Sequence, residues 1–338
     1  MLLACDIGGT KTLVGLFEPG PSTALGTAAG RPRPVMVATY ATQAFGSVSE
    51  ILDAFARDVP HPLSVDAAVA GVAGPVAGGR ARLTHGAWDL SAAELAARLT
   101  LGARHVRVMN DLEALGTSVE ALEGHELEVL QAGIPDRDGQ AVVIAAGTGL
   151  GEATLHRVNG RLRAAASEGG HADFAARTDR EIALVRRLRE RHGRAEVEQV
   201  LSGPGLLNLH DLTHGRGPCR ASVDRAAADA PAAVSRAALE GTCPSCVEAL
   251  GLFAEAYGAE AGNLALRGMA TAGAYIGGGI ALKILPVLRD GRFMQAFRDK
   301  APMTDLLAAM PVQVILNAEA GLLGAAIAAQ VLLTIRDA

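Results

Sequence analysis

The sequence predicts an α/β fold in two halves, and three observations carry that reading. Short apolar runs of strand character alternate with segments of helical spacing, the pattern of a layered sheet. Each half opens on an apolar strand that ends in a glycine turn and runs into a second strand, "ACDIGGTKTLVGLF" and "VVIAAGTGLGEATLH". At 338 residues the chain is long for one domain and natural for two.

Strand-like runs dominate the first third: "LLACDIGG", "KTLVGLF", "VMVATY", "VDAAVAGVAG", "ARLTH" and "HVRVMND". Helical patterns at Val48–Arg57 and Ala92–Leu99 interrupt them. The second strand set starts with "AVVIAAGTG" and "ATLHRVN", and from Asp179 to Arg267 the pattern is mostly helical. Strands return at "TAGAYIGGG" and "VQVILN", and a last apolar helix is expected from Ala318 to Ile335. Loops are expected at Gly20–Pro34, Pro135–Gly139 and Gly215–Pro218, where Gly and Pro cluster.

Hydrophobic residues make up 49% and charged residues 20%, which supports buried cores and argues against disorder. A net charge of -5 argues against a nucleic-acid or anionic-membrane partner. No apolar run approaches the roughly 20 residues of a spanning helix. Asp6 arrives too early for the apolar core of a signal peptide, so a soluble cytoplasmic protein is expected.

The glycine turns carry chemistry. Glycines let the main chain approach a ligand and adopt positive φ, and successive N–H groups make an anion nest. One such turn is a common structural device, but two in equivalent positions, beside Thr10 and Thr148, can grip a nucleotide between them. A Walker loop is excluded because no glycine precedes Lys11, Lys283 or Lys300. "GTGLG" lacks the final spacing of a dinucleotide fingerprint and leads into a strand. A third cluster, "IGGGI" at Ile276–Ile280, reads equally as a tight strand-to-helix turn or as backbone passing close to an adenine.

In "VMNDLEALG", Asn110 and Asp111 sit where a strand runs into a helix. On that pair alone helix capping is the simpler reading, because an Asx oxygen takes an orphan N–H of the first turn. "SEGGHADF" adds Glu168 and His171, and Glu198 precedes the glycine-proline loop "VLSGPG". Together these residues form an acceptor-rich set suited to a neutral polyhydroxylated ligand. With aromatic residues at 3%, hydrogen bonding rather than stacking must supply specificity. Four cysteines do not suggest a disulfide scaffold. "TCPSC" holds one Cys-x-x-Cys pair, which Cys219 and His214 could complete as a tetrahedral site. No second pair stands at zinc-finger spacing. The expectation is therefore a Thr242-capped helix with two thiols in its first turn and no structural metal.

These motifs resemble the bacterial glucokinases, members of the actin-like ATPase superfamily that also includes hexokinases and heat-shock chaperone ATPases. The resemblance spans nearly the whole chain: "DIGGT", "MND" before a helix, "AAGTGLG", "EGGHADF", "EQVLSGPGLLNL", "CPSCVEAL", "GNLAL", "IGGGI" and "AGLLG". The related repressor/kinase family shares "DIGGTK" and a Glu-x-Gly-His core but usually continues into a zinc-binding cysteine cluster. Its absence after His171 favours the zinc-free branch.

The resemblance implies a two-domain actin-like ATPase (ribonuclease H-like) α/β fold with an interdomain cleft. A small α/β domain would take residues 1–121 plus 317–338, and a larger one, with a helical insertion, residues 122–316. The implied reaction is ATP-dependent phosphorylation of glucose at its 6-hydroxyl, with Mg2+ accompanying ATP. Asp111 would be the catalytic base, and Asn110, Glu168, His171 and Glu198 would hold the other hydroxyls. Asp6, Gly8, Gly9 and Thr10, with Gly147, Thr148, Gly149 and Gly151, would cradle the phosphates; Gly277, Gly278 and Gly279 would border the adenosine. A homodimer is also implied. One departure is His85, where the family commonly has Asn near the sugar rim, which leaves the preference among hexoses open. Two rival readings are a non-catalytic sugar sensor, which usually carries a DNA-binding segment, and a chaperone or filament ATPase, which lacks the sugar set.

Overall fold

Strand β1 (Leu2–Ile7) alternates its side chains between two buried faces, and the first half of the molecule is organised around it. The structure, a computed structural model, describes residues 1–21, 30–59, 64–83, 88–215, 217 and 219–334. The chain divides into two compact units, Met1–Glu123 with Leu155–Ala166 and Asn317–Ala338, and Gly124–Thr154 with Ser167–Leu316.

In the first unit β1 is followed by β2 (Lys11–Glu18), β3 (Arg33–Ala41), α1 (Val48–Asp58) and β4 (Ala67–Val72). Short strands β5 (Val76–Ala77), β6 (Arg80–Arg82) and β7 (Asp89–Ser91) form a separate small sheet. Helix α2 (Ala92–Leu99), strand β8 (Val106–Asn110) and helix α3 (Asp111–Ser118) complete this stretch. The main sheet runs β3-β2-β1-β4-β8, antiparallel from β3 to β1 and parallel from β1 to β8. Leu3, Cys5 and Ile7 pack on one side with Ile51, Leu52 and Phe55 of α1. Ser47 caps α1 by accepting from Glu50 N at 3.3 Å, and Val48, Ile51, Leu52 and Phe55 form its apolar stripe. Strand β4 is buried at every position, as a central parallel strand covered on both faces should be.

The second unit contains β9 (Leu127–Gln131), β10 (Ala141–Ala146), β11 (Leu150–Val158) and β12 (Arg161–Ser167). Residues Leu155–Ala166 of the last two strands group with the first unit. A helical stretch follows: α4 (Asp179–His192), α5 (Gly203–His214), α6 (Ala230–Leu239) and α7 (Pro244–Gly268). Strand β13 (Gly273–Gly277) leads into α8 (Gly278–Lys283), α9 (Leu285–Leu288), α10 (Arg292–Arg298) and α11 (Thr304–Ala309), and β14 (Val312–Ile315) closes the unit. The sheet order is β12-β11-β10-β13-β14-β9, with β10, β13 and β14 parallel and β9 antiparallel to β14. The turn between β10 and β11 is too short for a crossover, so this pair is antiparallel. Apart from β9, the strand order of the first sheet is repeated.

Helix α12 (Ala320–Leu332) belongs to the first unit, where it covers Leu2, Ala4, Ala67 and Val69 on the other face of the sheet. A Cβ at Gly324 would overlap the Ala114 carbonyl oxygen, so α12 and α3 touch backbone to backbone there. None of the described helices is long and apolar enough to cross a membrane.

The structure corrects several boundaries. The last helix starts at Ala320, not Ala318, because the Asn317 side chain accepts from Glu319 N at 2.8 Å and holds a turn. It ends at Leu332, and Ile335 lies outside the described residues. The strand at "ARLTH" is Arg80–Arg82, so it starts one residue earlier and Leu83 is not in it, and Thr84 and His85 lie outside the described residues. Cys243, not Thr242, is the N-cap of α7; the Thr242 hydroxyl donates back to Ala237 O at 3.2 Å.

Candidate active site

In the first unit the expected residues collect at the carboxyl ends of the parallel strands. Asp6 pairs in register with Gly71, and Val72 with Asn110. A Cβ at Gly71 would stand 3.0 Å from the Ala114 Cβ and 3.7 Å from the Asp111 Cα, so the missing side chain lets α3 start directly over β4. Asn110 is the helix cap: Oδ1 accepts from Leu112 N at 2.8 Å and from Glu113 N at 3.4 Å, while Nδ2 donates to Gly74 O at 3.1 Å. The capping reading therefore holds for Asn110, and capping fixes the backbone that presents Asp111. One Asp111 oxygen accepts from Leu112 N at 2.9 Å.

Asp6 lies against the start of α12, where a Cβ at Gly321 would come within 2.8 Å of its carboxylate. Desolvation pushes its pKa up to about 6, opposed by the charge of Lys11. The following turn is closed by Gly8 N donating to Lys11 O at 3.0 Å and leaves Thr10 exposed. Thr42 holds it from the side: its N–H bonds Thr10 O at 3.0 Å, and its hydroxyl bonds Gly8 O at 2.8 Å. Nothing in the sequence around Thr42 marks that role.

In the second unit Gly147, Thr148 and Gly149 form the β10–β11 turn, closed by Gly147 N donating to Gly149 O at 2.8 Å, and Gly151 lies in β11. Glu198 folds onto this turn, accepting from Leu150 N at 2.9 Å. A Cβ at Gly149 would stand 2.5 Å from the Glu198 carboxylate, so that glycine admits the acid. The N-terminus of α5 docks on the same turn through Gly203 N and Gly147 O at 2.9 Å. Ser202 caps α5 by accepting from Gly205 N at 3.0 Å and donates its hydroxyl to Glu198 O at 2.6 Å.

The "EGGH" segment lies beside Glu198, whose N–H bonds Gly170 O at 2.8 Å. A Cβ at Gly170 would overlap Leu150 O and one at Gly169 would overlap the Glu152 carboxylate, so both glycines are needed for close approach. His171 Nε2 is 4.0 Å from Glu168, and its Nδ1 is 3.4 Å from Glu196, an orienting acid that the motif did not reveal. Glu152 itself is buried, and neither of its oxygens has a hydrogen-bond partner among the described residues. Burial first, then the neighbouring Glu260 charge, raises its pKa to about 7, with Arg267 opposing.

The glycines after β13 line up with those after β10, since Gly277 pairs with Ala145. Gly278 has φ +86°, and a Cβ there would overlap Ala146 O. At Gly147 and Gly279 an added Cβ would meet no protein atom within 4 Å, so packing does not require these two glycines. Tyr257 of α7 pins both strand ends from beneath. Its hydroxyl accepts from Ala146 N at 3.2 Å, and its oxygen lies 3.3 Å from both Ile144 O and Gly277 O, either of which can accept its one hydrogen.

Comparison with known proteins shows the family. The family model described as Glucokinase matches residues 3–332. A glucokinase of Synechocystis is 39% identical, with 97% of each chain covered. One of Mesorhizobium japonicum is 35% identical over 96% of this chain and 90% of its own. A crystal structure of glucokinase from an Antarctic psychrotroph superposes with a TM-score of 0.80 at 29% identity, covering 97% of this chain and 98% of that one. A glucokinase from Balamuthia mandrillaris, solved in complex with glucose, has a TM-score of 0.77 at 19% identity over 97% and 93% of the chains, a likeness of fold. The chain belongs to the glucokinase family.

Proposed function

We propose that the protein transfers the γ-phosphoryl group of ATP to the 6-hydroxyl of glucose, with Asp111 as the base. The observation that carries this reading is the place of Asp111, the first residue of α3 at the carboxyl end of parallel β8, set on a backbone fixed by Asn110. Phosphoryl transfer asks the protein to align reactants and neutralise charge, with a base that orients the nucleophile and takes its proton as transfer proceeds. Asn110, Glu168, His171 and Glu198 hold the other hydroxyls. Glu198 and the Glu196–His171 pair suit that task because their backbone and side-chain partners hold them in place before substrate arrives.

The turn at Gly8, Gly9 and Thr10 and the turn at Gly147, Thr148, Gly149 and Gly151 cradle the phosphates, and Gly277, Gly278 and Gly279 border the adenosine. Support comes from Gly147 and Gly279, whose missing Cβ atoms no protein contact explains. Magnesium, bound with ATP, supplies charge neutralisation at the phosphates. Asp6 fits that cation, because a carboxylate raised to about 6 by desolvation is returned to its ionised form by a nearby positive charge. The family resemblance further supports a homodimer and a cytoplasmic location, where ATP is available. Sedimentation velocity tests the former.

The experiment that tests the reaction is ADP release measured across a panel of hexoses, with glucose expected to give the highest kcat/KM. Glucose binding without ADP release would overturn the enzyme reading in favour of a sensor.

A further inference from the structure

The end of α5, the loop after it and the start of α7 bring together three thiols and two imidazoles that the proposed reaction does not use. His214 Nε2 lies 3.3 Å from Cys243 Sγ and 4.0 Å from Cys246 Sγ. Cys219 Sγ lies 4.0 Å from Cys243 Sγ and 3.9 Å from Cys246 Sγ. We propose that His214, Cys219, Cys243 and Cys246 form a structural zinc site.

Tetrahedral zinc with Zn–S near 2.3 Å and Zn–N near 2.0 Å sets its ligand atoms about 3.5–3.8 Å apart. The four separations bracket that range. They are far longer than a disulfide, whose sulfurs stand about 2.05 Å apart. The imidazole is already turned the right way: His214 Nδ1 lies 2.9 Å from His210 O, so donation to that carbonyl leaves the Nε2 lone pair facing the sulfurs. Backbone N–H groups of Cys246 and Arg220 bond the Cys243 sulfur and hold it in place. Cys243 and Cys246 are buried while His214 and Cys219 are half-buried, the closed character of a structural rather than a catalytic site.

His210 stacks on His214 with ring centroids 3.8 Å apart, and neither of its nitrogens has a hydrogen-bond partner among the described residues. One of its nitrogens lies within 4.8 Å of ligand atoms of His214, Cys219 and Cys246. It is the rival nitrogen donor. The short contact to Cys243 and the anchored Nδ1 assign the position to His214. On binding, each of the three thiols would exchange its S–H bond for a Zn–S bond, releasing three protons to solvent. It would tie the carboxyl end of α5 to the amino end of α7. Those helices also carry the docking contact at Gly147 and the Tyr257 hydroxyl. The sequence argued against such a site because "TCPSC" is a single Cys-x-x-Cys pair with no second pair at zinc-finger spacing.

The test is metal analysis of the full chain, purified without added metal, chelator or metal-affinity tag. About one zinc per chain is expected, lost in Cys219→Ser and retained in His210→Asn. Cobalt exchange into the wild-type protein should give the intense visible bands of tetrahedral thiolate coordination, a readout that does not depend on a variant folding. Zinc below about a tenth of an equivalent in folded protein, with no such bands on adding cobalt, would overturn the proposal. So would a Cys243–Cys246 disulfide in the purified chain, or loss of metal from His210→Asn but not from His214→Asn.

Discussion

The two glycine turns are built alike and gripped differently. Gly8–Thr10 follows β1 and Gly147–Gly149 follows β10, the corresponding strands of the two sheets, and each turn is closed by a short backbone hydrogen bond. The first is held by a neutral residue, Thr42, and preceded by a desolvated acid, Asp6. The second is held by a charged one: Glu198 accepts from Leu150 N, and the N-terminus of α5 bonds the turn from the other side. A glycine turn thus supplies only a place where backbone is open to a ligand. The residues that clamp it set its surroundings, a hydroxyl at the first turn and a carboxylate at the second.

The strongest way to break this division is Asp111→Asn. The turnover kcat should fall by at least about 10²-fold, the low end of what a positioned base contributes, while calorimetry shows glucose binding largely preserved because the amide is isosteric. Near-normal turnover would remove the first unit's claim to the chemistry.

Glu198→Gln addresses the other half. A hydrogen bond to a charged acceptor is worth about 1.5–3 kcal/mol, so weakening it at Leu150 N and at the sugar should raise the glucose KM by about tenfold or more. An unchanged KM would leave Glu198 as a purely structural clamp.

The glycines can be separated by alanine. Gly278→Ala must place a Cβ at positive φ and against Ala146 O, and strain of about 1–2 kcal/mol or more should lower the Tm by several degrees. Gly279→Ala should leave the Tm within about a degree, because the added Cβ meets no protein atom, yet raise the KM for ATP several-fold. An ATP KM equal to wild type would mean this open glycine does not face the nucleotide.

The smallest effect concerns Glu152. Its folded pKa, about 7, lies above the ordinary value of 4.5 for a glutamate, so the folded state holds the proton more tightly than the unfolded chain. Stability should therefore decline as pH rises from about 4.5 through 7, and Glu152→Gln should remove much of that slope. Asp6 leaves a residual slope of the same sign near 6. Melting curves at pH 5.5 and 8 check this; an equal Tm difference between wild type and variant at both would sink it.

Local features were legible in the sequence. The strands beginning at Leu2, Lys11 and Ala141, the glycine turns after them, and the Asx pair between β8 and α3 are all stretches whose own residues dictate their conformation. What was illegible depends on distant partners. Thr42 and Tyr257 look ordinary until the fold brings a glycine turn or two strand ends against their hydroxyls. Glu152 reads as a strand residue, and only burial without partners makes it unusual. Strands β5 to β7 are too short to show a period. Thr242 lost the capping position to Cys243 because its hydroxyl is drawn back to α6.

The recurrence of one strand order in both sheets places their loops in corresponding positions. The end of β1 matches the end of β10, and there Asp6 corresponds to Ala145, while Asp111 after β8 corresponds to Leu316 after β14. At these positions the first sheet carries acids, and the second carries apolar side chains beside the bare backbone of Gly147 and Gly277. A strand order used twice gives each strand-end residue of one unit a counterpart in the other, so the effect of a substitution in either can be measured against a matched position.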